Sequence, residues 1–420
     1  MSTRFNKLCW IELSQVCSRL CDLLAAVVHL SSLNQLGLTE GLLAMEFKHY
    51  YKSRQGEMVN LLKKLVTLES PSVDKEAVDK CSSFVVSQFK KTRAKVITYP
   101  QKEIGDFHLV EYPLRESKEA KARLAILTHI DTVWPKGKIK EMPFYVSGNK
   151  VYGPGVLDMK AGLVMAIFAL RALTELNLIP SKKISLFINS AEEIGSGEAN
   201  EMIRKLAKRS SAVLCLEPAL PGGALKVERK GRMEVRLKTM GKAAHAGTPE
   251  EGINAVEELL YQLRQMKKIR TTTTSMNIGV IKGGERVNII PAEASAHLDV
   301  RFWKSVHKDK VIQSLKRLRP SLQGATVKYS VESYLPPMEK TKASEKLLDQ
   351  IKEIGSSMKI PIETGKTGGG SDASIASNIG VATLDGLGPD GEGIHAENEH
   401  LLIPSLIERT ALLTEIFCRL

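Results

Sequence analysis

The sequence LAILTHIDTVWPKGKIKEMPFYVSGNKVYGPGVLDMKAG, residues 124–162, decides how the chain is interpreted. Its first five residues, Leu124–Thr128, form an apolar run that is typical of a buried strand. His129 and Asp131 follow where this strand should end, and alternate residues of an extended backbone share a face. Such a pair suits an imidazole that binds a metal while a carboxylate holds its second ring nitrogen. Further along, Asp158 lies between GPGV and MKAG, in a glycine-flanked turn that opens a helix.

The composition is that of a globular protein. The 420 residues are 43% hydrophobic and 25% charged, and they are enough for two domains. The net charge of +13 would suit nucleic-acid binding, but only 5% of the residues are aromatic and none are interleaved with the scattered basic residues. A solvated basic face, or one that steers anionic substrates, is the better interpretation. We therefore predict no nucleic-acid partner. We also expect no membrane association, because no uncharged apolar run is long enough to span a bilayer.

The cysteines and the N-terminal segment bear on location. The six cysteines form no CxxC pair and have no regular spacing, which favours reduced thiols in a cytoplasmic protein. Residues 1–44 are leucine-rich but only faintly resemble a signal peptide. Charged residues interrupt the would-be hydrophobic region, and no clear small-x-small cleavage site follows. We predict an extension outside the main fold, with secretion or surface association as the alternative.

From residue 45 onward, predicted strands and helices alternate, which indicates an α/β domain with a mostly parallel sheet covered by helices. Within Lys226–Thr239 the pattern changes to the apolar–polar alternation of a half-exposed antiparallel strand. That strand opens a βαββαβ series, which predicts an inserted ferredoxin-like α+β domain. We therefore expect three parts: an extension at 1–44, a main domain at 45–225 and 338–420, and an insert at 226–337.

Further acidic and imidazole residues follow other predicted strands of the main domain. Glu192 and Glu193 follow one strand, Glu217 the next, and His395 the last. These positions lie beyond the carboxyl ends of parallel strands, where open α/β sheets bind ligands. Each residue alone could be a helix-terminal charge, a strand-end acid or a loop histidine. Their agreement on one edge of the sheet favours a functional site.

Two imidazoles with several carboxylates suit Zn²⁺ and tolerate Co²⁺ or Mn²⁺. With three or more carboxylates, one of them can bridge two metal ions that lie about 3.5–4 Å apart. Glu192 and Glu193 are adjacent and face different ways in extended backbone. One of them can therefore ligate while its neighbour acts as a general base beside the metal.

Seven motifs in the family's order resemble M20 metallopeptidases, most closely the glutamate carboxypeptidase (carboxypeptidase G2-like) branch. They are LTHIDTVWP, GPGVLDMKAG, SAEEIGS, LEPA, GKAAHAG, RVNIIPAEASAHLDVRF and TGGGSDAS, and the resemblance covers roughly residues 45–420. It implies a catalytic domain of the zinc-exopeptidase type, with the insert as a lid and dimerisation domain. It also implies two Zn²⁺ per subunit, one held by His129, Asp158 and Glu217, and the other by Asp158, Glu193 and His395.

The resemblance also implies catalytic roles. Glu192 matches the general acid/base, and Asp131 matches the residue that orients His129. His245, in the insert, matches a histidine that reaches into the partner subunit's active site and stabilises the oxyanion, which implies a homodimer through the insert. Its alternative interpretation is a surface histidine. The family usually has a cis peptide after its bridging aspartate, here between Asp158 and Met159.

Three further residues match the substrate-binding positions of the family. Asn288 and Arg301 match residues that hold the substrate carboxylate, and we expect the Arg301 guanidinium to be buried if the insert closes as a lid. Gly369 lies in the glycine triplet 368–370, which lines the substrate pocket in the family. A phosphate-binding loop is the other interpretation of this triplet, but it lacks the Lys-Ser/Thr of a nucleotide site.

The implied activity is hydrolysis of an amide bond next to a free carboxylate, in a small peptide or an N-acyl amino acid. Glutamate-preferring members carry an extra arginine near the end of the insert's last strand, whereas residues 331–335 read VESYL, so the glutamate preference stays open. The alternatives are an N-acyl-amino-acid deacylase or a dipeptidase on the same scaffold. A catalytically silent binding protein is the alternative from another class.

Overall fold

The computed structural model describes residues 40–114 and 123–420. Residues 1–39 of the predicted extension lie outside this description. Residues 40–44 begin helix α1 (Glu40–Ser53), which lies against the C-terminal helix. Phe47 and Tyr51 of α1 are buried in the main core, so α1 is part of the main fold.

The described part of the chain has nine further α-helices. They are α2 (Gln55–Thr67), α3 (Lys75–Phe89), α4 (Ala161–Glu175), α5 (Gly197–Lys208), α6 (Ala255–Lys267), α7 (Ser305–Lys316), α8 (Lys342–Ser357), α9 (Ala373–Asn378) and α10 (Ile403–Arg419). Their starts follow ordinary capping chemistry. The carboxylate of Asp74 accepts from the amide of Ala77 at 3.0 Å, and the hydroxyl of Ser196 accepts from the amide of Ala199 at 3.2 Å.

The strands include several short ones that periodicity does not predict. They are β1 (Lys95–Tyr99), β2 (Phe107–Tyr112), β3 (Arg123–His129), β4 (Tyr145–Ser147), β5 (Lys150–Tyr152), β6 (Lys183–Asn189), β7 (Ala212–Cys215), β8 (Leu225–Arg229), β9 (Gly231–Met240), β10 (Thr274–Gly283), β11 (Glu293–Phe302), β12 (Thr326–Leu335), β13 (Thr364–Thr367), β14 (Thr383–Leu384), β15 (Gly391–Glu392) and β16 (His400–Leu402).

The main sheet has the order β1-β2-β6-β3-β7-β14. Strands β6, β3, β7 and β14 are parallel, whereas β2 and β1 add an antiparallel edge. Leu124 and Ile126 of β3 face a core shared with α4 and α10, and Ala125 and Leu127 face one shared with α5 and α9. Helices therefore cover both faces, which confirms the predicted fold class.

The second sheet is antiparallel, with the order β10-β11-β9-β12. Helices α6 and α7 pack on it around a separate apolar core that includes Leu237, Leu259 and Val300. The chain order and the strand order together are those of a ferredoxin-like sandwich.

The prediction of one strand over Lys226–Thr239 is wrong. Strand β8 pairs in parallel with β13 of the main part of the chain, and only β9 joins the antiparallel sheet. The break is hidden because the apolar–polar alternation continues across Lys230. A side chain at Gly231 would lie 2.7 Å from both Phe302 Cε2 and Pro337 N, so only glycine suits this close approach.

In the described ranges, no helix is long and apolar enough to cross a membrane.

Candidate metal centre

His129 lies at the carboxyl end of β3 and is 2% exposed. Its Nδ1 lies 3.0 Å from the carbonyl oxygen of Asp131. Its Nε2 points to two other carboxylates, at 3.1 Å from Asp158 Oδ1 and 3.4 Å from Glu217 Oε1. One ring nitrogen is thus held by the chain, and the other faces a cluster of anionic oxygens.

Asp158 lies between two imidazoles. Its Oδ1 faces His129, and its Oδ2 lies 3.3 Å from His395 Nε2. The peptide bond from Asp158 to Met159 is cis, which confirms the expectation from the resemblance. The two oxygens of one carboxylate therefore face the two sides of the cluster, as a bridging ligand requires.

His395 brings Glu193 into the same cluster, with 3.2 Å between His395 Nε2 and Glu193 Oε1. The side chain of His395 is 47% exposed, so the cluster is open to solvent on this side. Its backbone has φ 60°, a left-handed conformation that is uncommon for a residue with a side chain. Ligand atoms of His129, Glu192 and Glu217 also lie within 4.8 Å of one another. The structure thus brings together all five predicted ligands and Glu192.

Asp131 is fully buried and holds more than the histidine ring. Its Oδ1 accepts from the amide of Glu192 at 3.1 Å, and its Oδ2 accepts from the amide of Glu193 at 3.2 Å. The hydroxyl of Ser72 donates to Oδ2 at 2.7 Å. One carboxylate therefore fixes the turn that carries both glutamates, which explains how adjacent residues present their side chains to one cluster.

The pKa values of the site residues are shifted because several carboxylates lie close together around two imidazoles. Burial, together with the carboxylates of Glu217 and Asp372, raises the pKa of Glu192 well above its usual value. Hydrogen bonds to Asp158 and Glu193 raise the pKa of His395 to about 10. Protonated imidazoles thus balance the carboxylates when no other cation is bound.

Glu399, which the sequence does not single out, holds the turn that carries Asp158. It is fully buried, and it accepts from the amides of Gly155, Leu157 and Asp158 at 2.8–3.1 Å and from Trp134 Nε1 at 3.0 Å. It precedes β16, one of the unpredicted short strands, so no periodic signal marked its position.

Arg229 is a second supporting residue that the sequence does not reveal. It is buried, and its Nε donates to Asp385 Oδ2 at 2.6 Å while its Nη2 lies 3.5 Å from Glu217 Oε2. Its Nη1 donates to the carbonyl oxygens of Gly369 and Gly370. No motif marked Arg229, although its guanidinium links Glu217 to the glycine triplet.

His245 and Asn288 lie side by side on the exposed surface of the insert. The amide of Ala246 donates to the carbonyl oxygen of Asn288 at 3.0 Å, and His245 Nδ1 accepts from the amide of Gly247. Across the described part of the chain, no hydrogen bond or ion pair joins either side chain to the metal cluster.

Arg301 is partly exposed in this structure, and its expected burial on closure of the insert stays a prediction. Its side chain is 34% exposed and pairs with Asp299 on the same strand, with 3.0 Å between Nε and Oδ1. Its Nη1 donates to the carbonyl oxygen of Gly368 at 2.9 Å, so it lies where the insert meets the glycine triplet. The space around Gly369 would admit a larger residue more easily than the space around Gly370. A side chain at Gly370 would meet Leu335, whereas one at Gly369 would make only an ordinary contact.

The donor set fits a pair of divalent metal ions. It combines two imidazole nitrogens with the carboxylates of Asp158, Glu193 and Glu217, the ligand types that zinc prefers. Asp131 supports one of these histidines from behind, as is usual for such ligands.

Comparison with known proteins agrees with this geometry. The model of peptidase family M20/M25/M40 matches residues 125–419. Carboxypeptidase G2 of Pseudomonas sp. (strain RS-16) is 30% identical over 370 residues, covering 84% of this chain and 87% of the relative. Succinyl-diaminopimelate desuccinylase of Pelagibacter ubique is 27% identical over 315 residues, covering 69% and 80%.

A solved structure has the same fold. It is the YXEP protein of Bacillus subtilis, described as a dinuclear metal-binding peptidase of the M20 family. It superposes with a TM-score of 0.67 at 16% identity, covering 87% of this chain and 98% of the other. The predicted family and enzyme class are confirmed: the chain belongs to peptidase family M20/M25/M40, a family of metal-dependent hydrolases.

Proposed function

We propose that this protein is a dizinc carboxypeptidase that hydrolyses the amide bond next to a free carboxylate. The observation that carries the proposal is the position of the Asp158 carboxylate, between His129 and His395, with Glu192 in the same cluster. The similarity to carboxypeptidase G2 supports this substrate class.

His129, Asp158 and Glu217 would hold one zinc ion, and Asp158, Glu193 and His395 the other, with Co²⁺ or Mn²⁺ as possible substitutes. When bound, the ions supply Lewis-acid activation of the attacking water and of the scissile carbonyl. Burial excludes bulk water from His129, Asp158 and Glu217, which strengthens the electrostatic interactions of these groups.

Glu192 takes the proton of the attacking water and returns it to the leaving amine. Its raised pKa suits both steps, because a carboxylate of ordinary pKa is a weak base near neutral pH. Asp131 holds the Glu192 amide, so the general base is positioned by the same residue that orients His129.

We assign the substrate carboxylate to Asn288, Arg301 and the loop at Gly369, and the oxyanion to His245 of a partner subunit. The contact of Arg301 with the carbonyl of Gly368 supports a substrate site where the insert meets the main sheet. The exposed position of His245 supports a role across a homodimer interface. In this assignment, the main domain together with α1 and β8 is the catalytic domain, and β9 to β12 with α6 and α7 are the lid and dimerisation domain.

Free thiols at Cys81, Cys215 and Cys418 support a cytoplasmic location.

The test is a substrate panel assayed with the zinc-loaded enzyme. N-blocked dipeptides with a free C-terminal carboxylate should be cleaved, and their C-terminal amides should not, because Arg301 and Asn288 then lack a partner. C-terminal glutamate, alanine and leucine compared within the panel will show the side-chain preference. Equal cleavage of the amides would contradict the proposal.

The same panel separates the second candidate, an N-acyl-amino-acid deacylase, which the similarity to a desuccinylase favours. Preference for N-acetyl or N-succinyl amino acids over N-blocked dipeptides would indicate the deacylase, and preference for unblocked dipeptides a dipeptidase. No turnover of any member would indicate a catalytically silent binding protein.

A further inference from the structure

A groove of about 560 Å³ lies between helices α6 and α7 of the insert and includes none of the metal-centre residues. Its apolar lining includes Met266 and Val311, which are buried in the core of the insert, together with Ile269 and Leu318. Its volume lies in the range of small-molecule sites.

The groove is lined by cations without acidic partners. Four of its lining residues are exposed and basic: Lys268, Lys310, Arg317 and Arg319. No aspartate or glutamate lines it. Within residues 40–114 and 123–420, none of these four side chains forms an ion pair; Lys268 bonds only to Gln265, and Arg319 only to backbone carbonyls. The described lining therefore favours an anionic ligand, although the Glu258 carboxylate lies behind Gln262.

A groove-lining residue has a buried side-chain oxygen without a donor. Gln262 is fully buried, and its Nε2 donates to Glu258 Oε1 at 2.5 Å and to the carbonyl oxygen of Arg319 at 2.7 Å. Both partners are acceptors, so the amide orientation is fixed. Gln262 Oε1 and His307 Nδ1, on two sides of the groove, have no hydrogen-bond partner among the described residues. Buried polar atoms normally have one.

We propose that this groove is a binding site for a small organic phosphate whose body carries a hydroxyl or amino group. The phosphate, with a charge of about −1.5 to −2 at neutral pH, would pair with Lys310 and Arg317. The hydroxyl or amino group would donate to Gln262 Oε1, and the apolar part of the body would cover Met266 and Val311. The basic side chains, the unpaired amide oxygen and the apolar lining of the groove would each bind a different part of such a molecule.

The experiment titrates the full-length, zinc-loaded protein with adenosine monophosphate by calorimetry, with adenosine and inorganic phosphate as matched probes. We expect adenosine monophosphate to bind at one site per subunit, and each partial probe to bind at least about ten-fold more weakly. The double variant K310E/R317E should lose at least about ten-fold in affinity and keep its peptidase activity.

The control is K346E/K352E, which makes the same charge change on exposed residues of α8 and should leave the affinity within about two-fold. A second variant, Ser314→Trp, fills the groove without changing its charge and should also prevent binding. It serves as the test if the double variant does not fold.

Four results would overturn the proposal. They are no detectable binding of adenosine monophosphate, unchanged binding in both groove variants, an equal loss in the control, and binding that competes with peptide substrate and so lies at the metal centre. A single-stranded oligonucleotide that binds far more tightly than the mononucleotide would instead make this surface a nucleic-acid contact, which also contradicts the proposal.

Discussion

At the residue scale, the position of Asp158 depends on a carboxylate outside the ligand set. Glu399 accepts three amide hydrogens from the turn that carries Asp158. The backbone conformation of that turn is thus fixed by a residue more than 240 positions away along the chain. Supporting residues of this kind orient metal ligands, and their mutation typically lowers metal affinity or activity by about 10–100-fold.

We predict that Glu399→Gln lowers zinc affinity and kcat/KM by about 10–100-fold, because an amide replaces one of the accepting oxygens with a donor. The matched control is Glu397→Gln, two residues earlier, whose exposed carboxylate pairs with Lys138 and should matter little. Zinc titration and steady-state kinetics of both variants are the measurements. Equal behaviour of the two variants would show that Glu399 does not support the site.

A second prediction concerns pH. Hydrogen bonds to the carboxylates raise the pKa values of His129 and His395, so both imidazoles are protonated at neutral pH in the metal-free protein. Zinc binds neutral imidazole and must displace these protons. Its apparent affinity should therefore rise between pH 6 and 9, by up to about ten-fold per pH unit for each proton released. Chelator competition at several pH values measures this, and a flat profile would contradict it.

At the element scale, the ends of the long strands could be predicted from the sequence, but the strands with which they pair could not. Each metal ligand follows an apolar strand or a glycine turn, and such local signals are legible in one sequence. The β8–β9 break was missed because the apolar–polar alternation continues across it, so the pairing of β8 with β13 could not be predicted. Short strands such as β16, which follows Glu399, have too few residues to show a hydrophobic periodicity.

Glu258 ties α6 to the turn before β12. It is fully buried, and it accepts from Ser321 N, Ser321 Oγ and Leu322 N at 2.8–2.9 Å, as well as from Gln262. Burial alone would raise the pKa of Glu258, but these hydrogen bonds lower it below its usual value. A carboxylate with a lowered folded-state pKa stabilises the fold above its unfolded pKa, and this contribution disappears as pH falls through the folded value.

We therefore predict that Glu258→Gln destabilises the insert by about 1–3 kcal/mol at pH 7, because charge-assisted hydrogen bonds are lost. The difference from wild type should shrink as the pH falls below about 4.5. Glu257→Gln, on the same turn of α6 but exposed, is the charge-matched control. Urea unfolding at several pH values measures the free energies, and a pH-independent difference would show that the charge of Glu258 is not the cause.

At the scale of the whole molecule, the residues of the proposed site come from both the main domain and the insert. The proposed ligands His129, Glu193 and Glu217 lie at or after the carboxyl ends of parallel strands of the main sheet. Arg301 lies on the antiparallel sheet, and His245 and Asn288 lie on loops of the insert. The first arrangement follows from general rules for α/β folds. The second could not be derived from the residues alone, because it depends on how the insert lies against the main domain and on the proposed partner subunit.

A shared active site gives a prediction for mixed dimers. His245→Ala and Glu192→Gln should each be nearly inactive as pure proteins. If His245 serves the partner subunit, a heterodimer of the two variants has one complete site, and an equal mixture should recover about a quarter of wild-type activity. Activity after subunit exchange measures this, with sedimentation to confirm the dimers. Mixtures without any recovery would place His245 outside the partner's site.

The most direct test of the account is metal analysis together with kinetics of Glu192→Gln. The proposed mechanism needs two separate functions within one cluster: ligands that hold the ions and a free glutamate that moves protons. We predict two zinc ions per subunit in both wild type and Glu192→Gln, with kcat reduced by about 10²–10⁴-fold in the variant. Loss of zinc from the variant, or near-normal activity with zinc retained, would contradict the central claim.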